Sequence, residues 1–220
     1  MTPFPYAHAA AEDWHDALSQ VAEALGGLSA HAPGTSRLGF VYVTEPLSRH
    51  LPEVLDALRD ATGAPHWVGA VGIGICATGI EYYERPAIVA MVAELPEDSF
   101  RVFPTVAEDM EAYDRIQRDW LGNAQPFIGL VHADPANART EELIEQLAAR
   151  TATGFLVGGL ASAQGDAHTV ADGVTAGGVS GVMFSDAVGV QTNLSQGCSP
   201  IGPHRNITGC QRNILATLDG

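Results

Sequence analysis

The sequence predicts a mixed α/β (α+β) protein of internally duplicated β-α-β-hairpin units, with mixed sheets flanked by helices. Three observations carry that expectation. Near-continuous apolar runs of strand length precede segments of helical period: 38–44 before 51–61, and 127–133 before 140–150. Strand-like runs outnumber helical ones and several are joined by short turns, whereas a purely parallel sheet needs a long crossover at each step. The pattern also recurs. Gly39-Phe40-Val41 lines up with Gly129-Leu130-Val131 (129 − 39 = 90), and Trp67-Val68-Gly69-Ala70 with Leu156-Val157-Gly158-Gly159 (158 − 69 = 89), in the same order of strand, helix, glycine-bearing strand and hairpin. Two packed sheets in α/β/β/α layers are one version of this fold; a single long mixed sheet is the other.

Taken in order, residues 1–11 read as a loose arm. A helix follows, with Trp14, Leu18, Val21, Ala22 and Leu25 near a 3.6 period and Gly26-Gly27 as its stop. After a loop over 31–37, the run 38–44 is expected as a strand buried on both faces. The helix over 51–61 places Leu51, Val54, Leu55 and Leu58 on one face, with Pro52 in its first turn. Residues 67–76 read as one strand studded with glycines, a sign of close backbone approach or a bulge. Segments 79–84 and 86–93 read as a hairpin pair, 99–103 as a short strand and 109–121 as a helix. The second unit then has a strand over 127–133, a helix over 140–150 with Thr140 as its cap, a glycine strand over 154–160, a return over 169–176 and a strand over 178–185. A strand over 187–192 leads into Ser195-Gln196-Gly197-Cys198-Ser199-Pro200-Ile201-Gly202-Pro203, where the backbone must turn sharply twice around a thiol. The division is therefore 1–36 as arm and helix, 37–186 as the main domain with repeat units 38–93 and 127–185, and 187–220 as a junction and the expected start of a C-terminal domain.

Composition excludes several function classes. With 46% hydrophobic and 17% charged residues, the 220-residue chain can bury a core and is not of disordered type. The formal charge is −15 and all eleven Lys/Arg positions are arginine, spread along the chain. Such a surface repels nucleic acid and anionic membrane. The missing lysine excludes Schiff-base chemistry and a P-loop lysine. Residues 1–8 lack the regions of a signal peptide, no apolar run has membrane-spanning length, and Cys76, Cys198 and Cys210 make neither a full disulfide set nor a Cys-x-x-Cys pair, so a reduced cytoplasmic setting is expected.

No Gly-x-Ser-x-Gly elbow, His-Glu-x-x-His, EF-hand loop or Walker sequence is present, and the chain is expected to be no enzyme. Cys198, with Ser199 and His204 nearby, is the one candidate nucleophile; its bland reading is a small buried apolar residue. Gly69, Gly72 and Gly74 form a G-x-x-G-x-G run that could present backbone N–H groups to an anion, but it lacks dinucleotide spacing. The mirrored Gly158-Gly159 favours a packing role, or, if the two units face each other, a cleft lined by both glycine strands. His132 and Asp134 share one strand face, and Asp166 or His168 could add a third metal ligand; strand-end Asp and His more often cap or stay solvated, and neither a metal nor any other cofactor is expected. Glu81, Glu84 and Asp109 read as solvated, and Trp67 and Phe155 as core.

The C-terminal segment resembles the junction between the N- and C-terminal halves of the FIST sensory family. The matching residues are Gln196-Gly197-Cys198, Pro200-Ile201-Gly202, Ile207-Thr208, Asn213-Ile214 and Leu218-Asp219-Gly220. Residues 63–79 and 155–161 resemble two blocks of its N-terminal domain; Ser199 departs from the family, where an arginine is frequent. The resemblance covers most of the chain. It implies a cytoplasmic sensory domain that binds small ligands such as amino acids, signals to a kinase, cyclase or chemotaxis protein, and carries no catalytic residues. The residues assigned to a ligand are Gly72, Gly74, Cys76, Gly158 and Gly159 on the glycine strands, with Cys198, Pro200 and Gly202 at the junction. A cysteine-dependent enzyme acting through Cys198 and a protein-interaction scaffold are the alternatives.

Overall fold

Fourteen strands and four α-helices account for the regular structure of the computed structural model, which describes residues 4–28, 30–163, 165, 167–193, 197–212 and 214–220. In chain order these are β1 (Tyr6–Ala10), α1 (Trp14–Leu25), β2 (Thr35–Thr44), a 3-10 turn (Glu45–His50), α2 (Leu51–Thr62), β3 (His66–Gly72), β4 (Gly74–Ala77), β5 (Ile80–Tyr83), β6 (Ala87–Pro96), β7 (Phe100–Val106), α3 (Glu111–Leu121), β8 (Ile128–Ala133), α4 (Thr140–Ala148), β9 (Leu156–Leu160), β10 (Thr169–Ala171), β11 (Val174–Thr175), β12 (Val179–Phe184), β13 (Ile207–Gln211) and β14 (Ile214–Leu218). They divide into two units, one ending at Gly189 and one beginning at Val190.

The first unit holds two mixed sheets. One has the order β1-β6-β2-β3-β10-β11 and the other β7-β12-β8-β9. In the first, β2 runs parallel to β3 and antiparallel to β6; in the second, β8 runs parallel to β9 and antiparallel to β12. Gly69 lies opposite Val41 and Gly158 opposite Val131, so both sheets carry a glycine at the matching register of their parallel pair.

The amphipathic periods explain the layers. Helices α1 and α2 bury Ala17, Val21, Leu25, Val54, Leu55 and Leu58 against Val41, Val43, Val71, Ile88 and Val92 of the first sheet. Trp67 is fully buried in this layer, and its indole N–H donates to the Ala64 carbonyl at 2.9 Å. Leu143 and Leu147 of α4 and Tyr113 of α3 pack on Phe103, Val131, Val179 and Met183 of the second sheet. The opposite sheet faces meet each other: Thr169 of β10 and Ser180 of β12 share a buried hydrogen bond of 2.8 Å, and the Thr105 and Thr175 hydroxyls also pair. The arrangement is α/β/β/α.

Several elements differ from expectation. Residues 6–10 are no arm but β1, paired with β6 through Tyr6↔Met91 to Ala10↔Ala87. Its inward residues are Ala7 and Ala9, too small to make an apolar strand signal. Residues 67–76 form two strands broken at Ile73, and β4 turns back onto β5 instead of continuing the sheet. Segments 79–84 and 86–93 therefore do not pair with each other; β6 is claimed by β1 and β2. No strand forms over 187–192, where Val188 N–H closes a turn on Ser185 O. Thr140 is no cap: α4 begins after Arg139, and the Thr140 hydroxyl donates to Asp134 O at 2.6 Å. Phe155, expected in the core, is 48% exposed just before the edge strand β9.

The second unit is the antiparallel hairpin β13–β14 with its preceding segment. Arg205 and Asp219 form an ion pair at 2.9 Å across its base, and the Asp219 carboxyl is held below its ordinary range by the Asn206 N–H and by Arg205.

Candidate functional site

The C-terminal ends of β3 and β9, each the parallel partner of its sheet's β2 or β8, open onto one cleft of about 370 Å³ between the two sheets. That volume suits a small molecule. Its walls include Gly72, Gly74, Cys76, Gly158 and Gly159, together with Tyr42, His132, Leu160 and Ser162. The two glycine strands thus meet at the cleft that face-to-face units would form.

The glycines there do different things. A Cβ on Gly69 would lie 1.7 Å from Val41 O, and one on Gly158, at φ +143°, would lie 1.8 Å from Val131 O. Both are required by close strand approach. Gly72 and Gly74 are also confined, by Gly74 O at 2.8 Å and by the Tyr83 ring at 2.2 Å. Gly159 is the exception: a Cβ there meets nothing within 4 Å and its φ is not in the left-handed region. It pairs with His132 and so shares that residue's sheet face, which looks into the cleft.

His132 is 4% exposed. Its Nε2 lies 3.0 Å from the Tyr42 hydroxyl, and the two rings meet edge to face. Its Nδ1 is buried and has no hydrogen-bond partner among the described residues. Burial pushes the imidazole down to about 4 and the Tyr42 phenol up to about 12, so both are neutral near pH 7. Neutral imidazole offers one donor and one acceptor nitrogen. Ser162 links the two halves at the cleft mouth, where its Oγ accepts from Ile73 N–H at 3.2 Å, leaving its own proton to donate.

The nominated metal ligands do not converge. Asp134 accepts from Ala136 N–H at 2.8 Å and Gly177 N–H at 3.2 Å, a turn-capping role, and His168 Nδ1 pairs with Ser48 Oγ at 2.7 Å. No group of three metal-type side chains occurs among the described residues, and Asp166 lies outside them. Cys198, Pro200 and Gly202 belong to the unit from Val190 on and are exposed, so the reading of Cys198 as a buried apolar residue is corrected. Gln196 and Asn213, part of the family-like pattern, fall outside the described residues. Cys76 is exposed.

Sequence reasoning missed Tyr42 and Ser162. Tyr42 was signalled by a single residue with a polar end inside an otherwise apolar strand. For His132 the sequence suggests a solvated or capping residue ahead of a metal ligand, and the structure corrects this to a buried imidazole on the cleft wall. Ser162 carried no local signal.

Neither the curated proteins nor the solved structures contain a match to this chain. The FIST N domain family matches residues 37–220, most of the sequence and both sheets of the first unit except β1 and the first residues of β2. The chain belongs to the FIST N domain family, a family of sensory domains linked to signal transduction.

Proposed function

We propose that this domain senses a small cytoplasmic ligand in the inter-sheet cleft and passes its occupancy to a signalling partner of the kinase, cyclase or chemotaxis class. One observation supports the site above the others: residues from both sheets, on two strands of matching register, line one cavity of small-molecule size. The mechanism is differential binding. A ligand touching Gly72 and Ser162 on one side and Gly159 and His132 on the other favours one spacing of the two sheets, by no more than its affinity difference between the states. No described helix is long and apolar enough to cross a membrane.

The test is a thermal-shift screen against amino acids and common metabolites, run beside Cys198→Ala. A ligand at about a hundred times its Kd adds about 2.7 kcal/mol to stability. That is a rise of several degrees in a domain of this size. The expected result is a concentration-dependent rise, retained in Cys198→Ala, with Cys76 protected from a thiol reagent by the same compound. A rise lost in Cys198→Ala would move the site away from the cleft. No rise with any compound would overturn the reading.

A further inference from the structure

The cleft's described wall holds no charged side chain: its polar groups are the Tyr42 hydroxyl, the His132 imidazole, the Ser162 hydroxyl and the Cys76 thiol. It also borders an unused sheet edge. Ala161 N–H donates to Ala133 O at 2.8 Å, so the backbone groups of Gly159, which point the same way, are spent on β8. Those of Gly158 and Leu160 point to the outer edge, where no described strand pairs with β9.

The first sheet shows how such an edge is satisfied. At the matching positions (158 − 89 = 69 and 160 − 89 = 71), Gly69 pairs with Val170 of β10 and Val71 N–H donates to His168 O at 3.0 Å. An antiparallel amide chain completes β3; β9 has the same pattern of groups and no such partner among the described residues.

We propose that the cleft selects an uncharged, amide-bearing small molecule, whose amide pairs with the free backbone edge at Gly158 and Leu160 while its body fills the space left open at Gly159 beside His132. This rests on the reading of the cleft as the ligand site and deepens it. A neutral amide matches alternating N–H and C=O groups in kind. A free amino acid would bring two charges to a wall with no counter-charge, and burying an unmatched charge costs far more than burying a hydrogen-bonded amide. A neutral His132 agrees with this, because it adds no positive charge to the wall.

Gly159 is the position on which selection turns. Its Cβ space is empty and its backbone is ordinary, so a side chain there disturbs the cleft and leaves the fold alone.

The experiment uses the full chain with Cys198→Ser and Cys210→Ser, so that Cys76 is its only thiol. Four probes that share the leucine side chain are titrated up to their solubility limits: N-acetyl-leucinamide (neutral) and the size-matched N-acetyl-leucine (anionic), with the smaller leucinamide (cationic) and leucine (zwitterionic). The readouts are protection of Cys76 from a thiol reagent and the shift in melting temperature. N-acetyl-leucinamide is expected to protect at a concentration about tenfold or more below the other three, given the desolvation cost of their charges. Gly159→Leu is expected to abolish that protection with the unliganded melting temperature unchanged, and Gly159→Ala to weaken it. A charged probe that binds more tightly, or protection by none of the four, overturns the neutral-amide assignment. If a charged metabolite from the screen protects Cys76, the sensor reading stands while this one falls; if neither set protects, both fall. Full protection retained in Gly159→Leu overturns the placement beside β9.

Discussion

At the residue scale, His132 has a measurable consequence. The unfolded chain protonates it near the ordinary 6.5, but burial holds it at about 4 in the fold. Between those values the unfolded state binds more protons. Stability present above pH 6.5 is therefore lost as pH falls toward 4, with a slope of up to about 1.4 kcal/mol per unit and a total of about 3 kcal/mol. Urea unfolding at steps from pH 7 to 5 should show this slope in the native chain and a flatter one in His132→Phe; equal slopes would mean that the imidazole stays solvated. The glycines give a second contrast. Gly158→Ala must move Val131 O or the strand and is expected to cost about 2 kcal/mol or more, whereas Gly159→Ala should change stability by less than about 0.5 kcal/mol. Chemical denaturation of the two variants checks it. That both positions carry glycine was visible in the sequence. That one is glycine for packing and the other for space was not, because the difference lies in which strand face each occupies.

At the scale of elements, legibility followed the strength of the period. Helix α2 and strand β8 lie within a residue or two of expectation because their apolar faces are dense. β1 was illegible because alanine carries little hydrophobic signal, and the break at Ile73 because glycine permits a strand and a turn equally well. Tertiary pairing also overrode local reading: β6 alternates well enough to pair with β5, yet its two edges are filled by β1 and β2. The same holds for the tie between α3 and α4, which no spacing announces. Arg150, just after α4, reaches Asp114 on α3 with Nε–Oδ1 at 2.6 Å and Nη2–Oδ2 at 3.1 Å, while its Nη1 donates to Gln146 O. The pair is about a third exposed, so solvent screening limits its worth. Arg150→Met should cost about 1 kcal/mol, with little effect on ligand binding because no residue of this tie lines the cleft. A loss much above that would mean the guanidinium carries packing as well as charge.

At the scale of the molecule, the two cores and the cleft lie in one stretch of chain. The helix-covered core of the first sheet, that of the second sheet, and the small cluster of Ile75, Tyr82 and Ala87 all fall before Gly189. The unit from Val190 on is different in kind. Ile207, Ile214, Leu215 and Leu218 of its hairpin are 65%, 63%, 52% and 42% exposed, and two-stranded hairpins are at best marginal alone. Burial of apolar area, the main source of stability, is therefore concentrated in the first unit. A chain ended at Gly189 is expected to unfold cooperatively, with a midpoint in urea close to that of the 220-residue chain, and to retain the low-pH slope from His132. Equilibrium unfolding of the two chains, followed by far-UV dichroism and by tryptophan fluorescence, makes the comparison, since Trp14, Trp67 and Trp120 all lie in the first unit. Coincident transitions with equal midpoints would mean that the sheets and their cleft are self-sufficient, and that Cys198, Pro200 and Gly202 act, if at all, on signalling after binding. A truncated chain that unfolds earlier, or in two steps, would mean that the junction segment helps to hold the sheets at their spacing and so takes part in the state that the ligand selects.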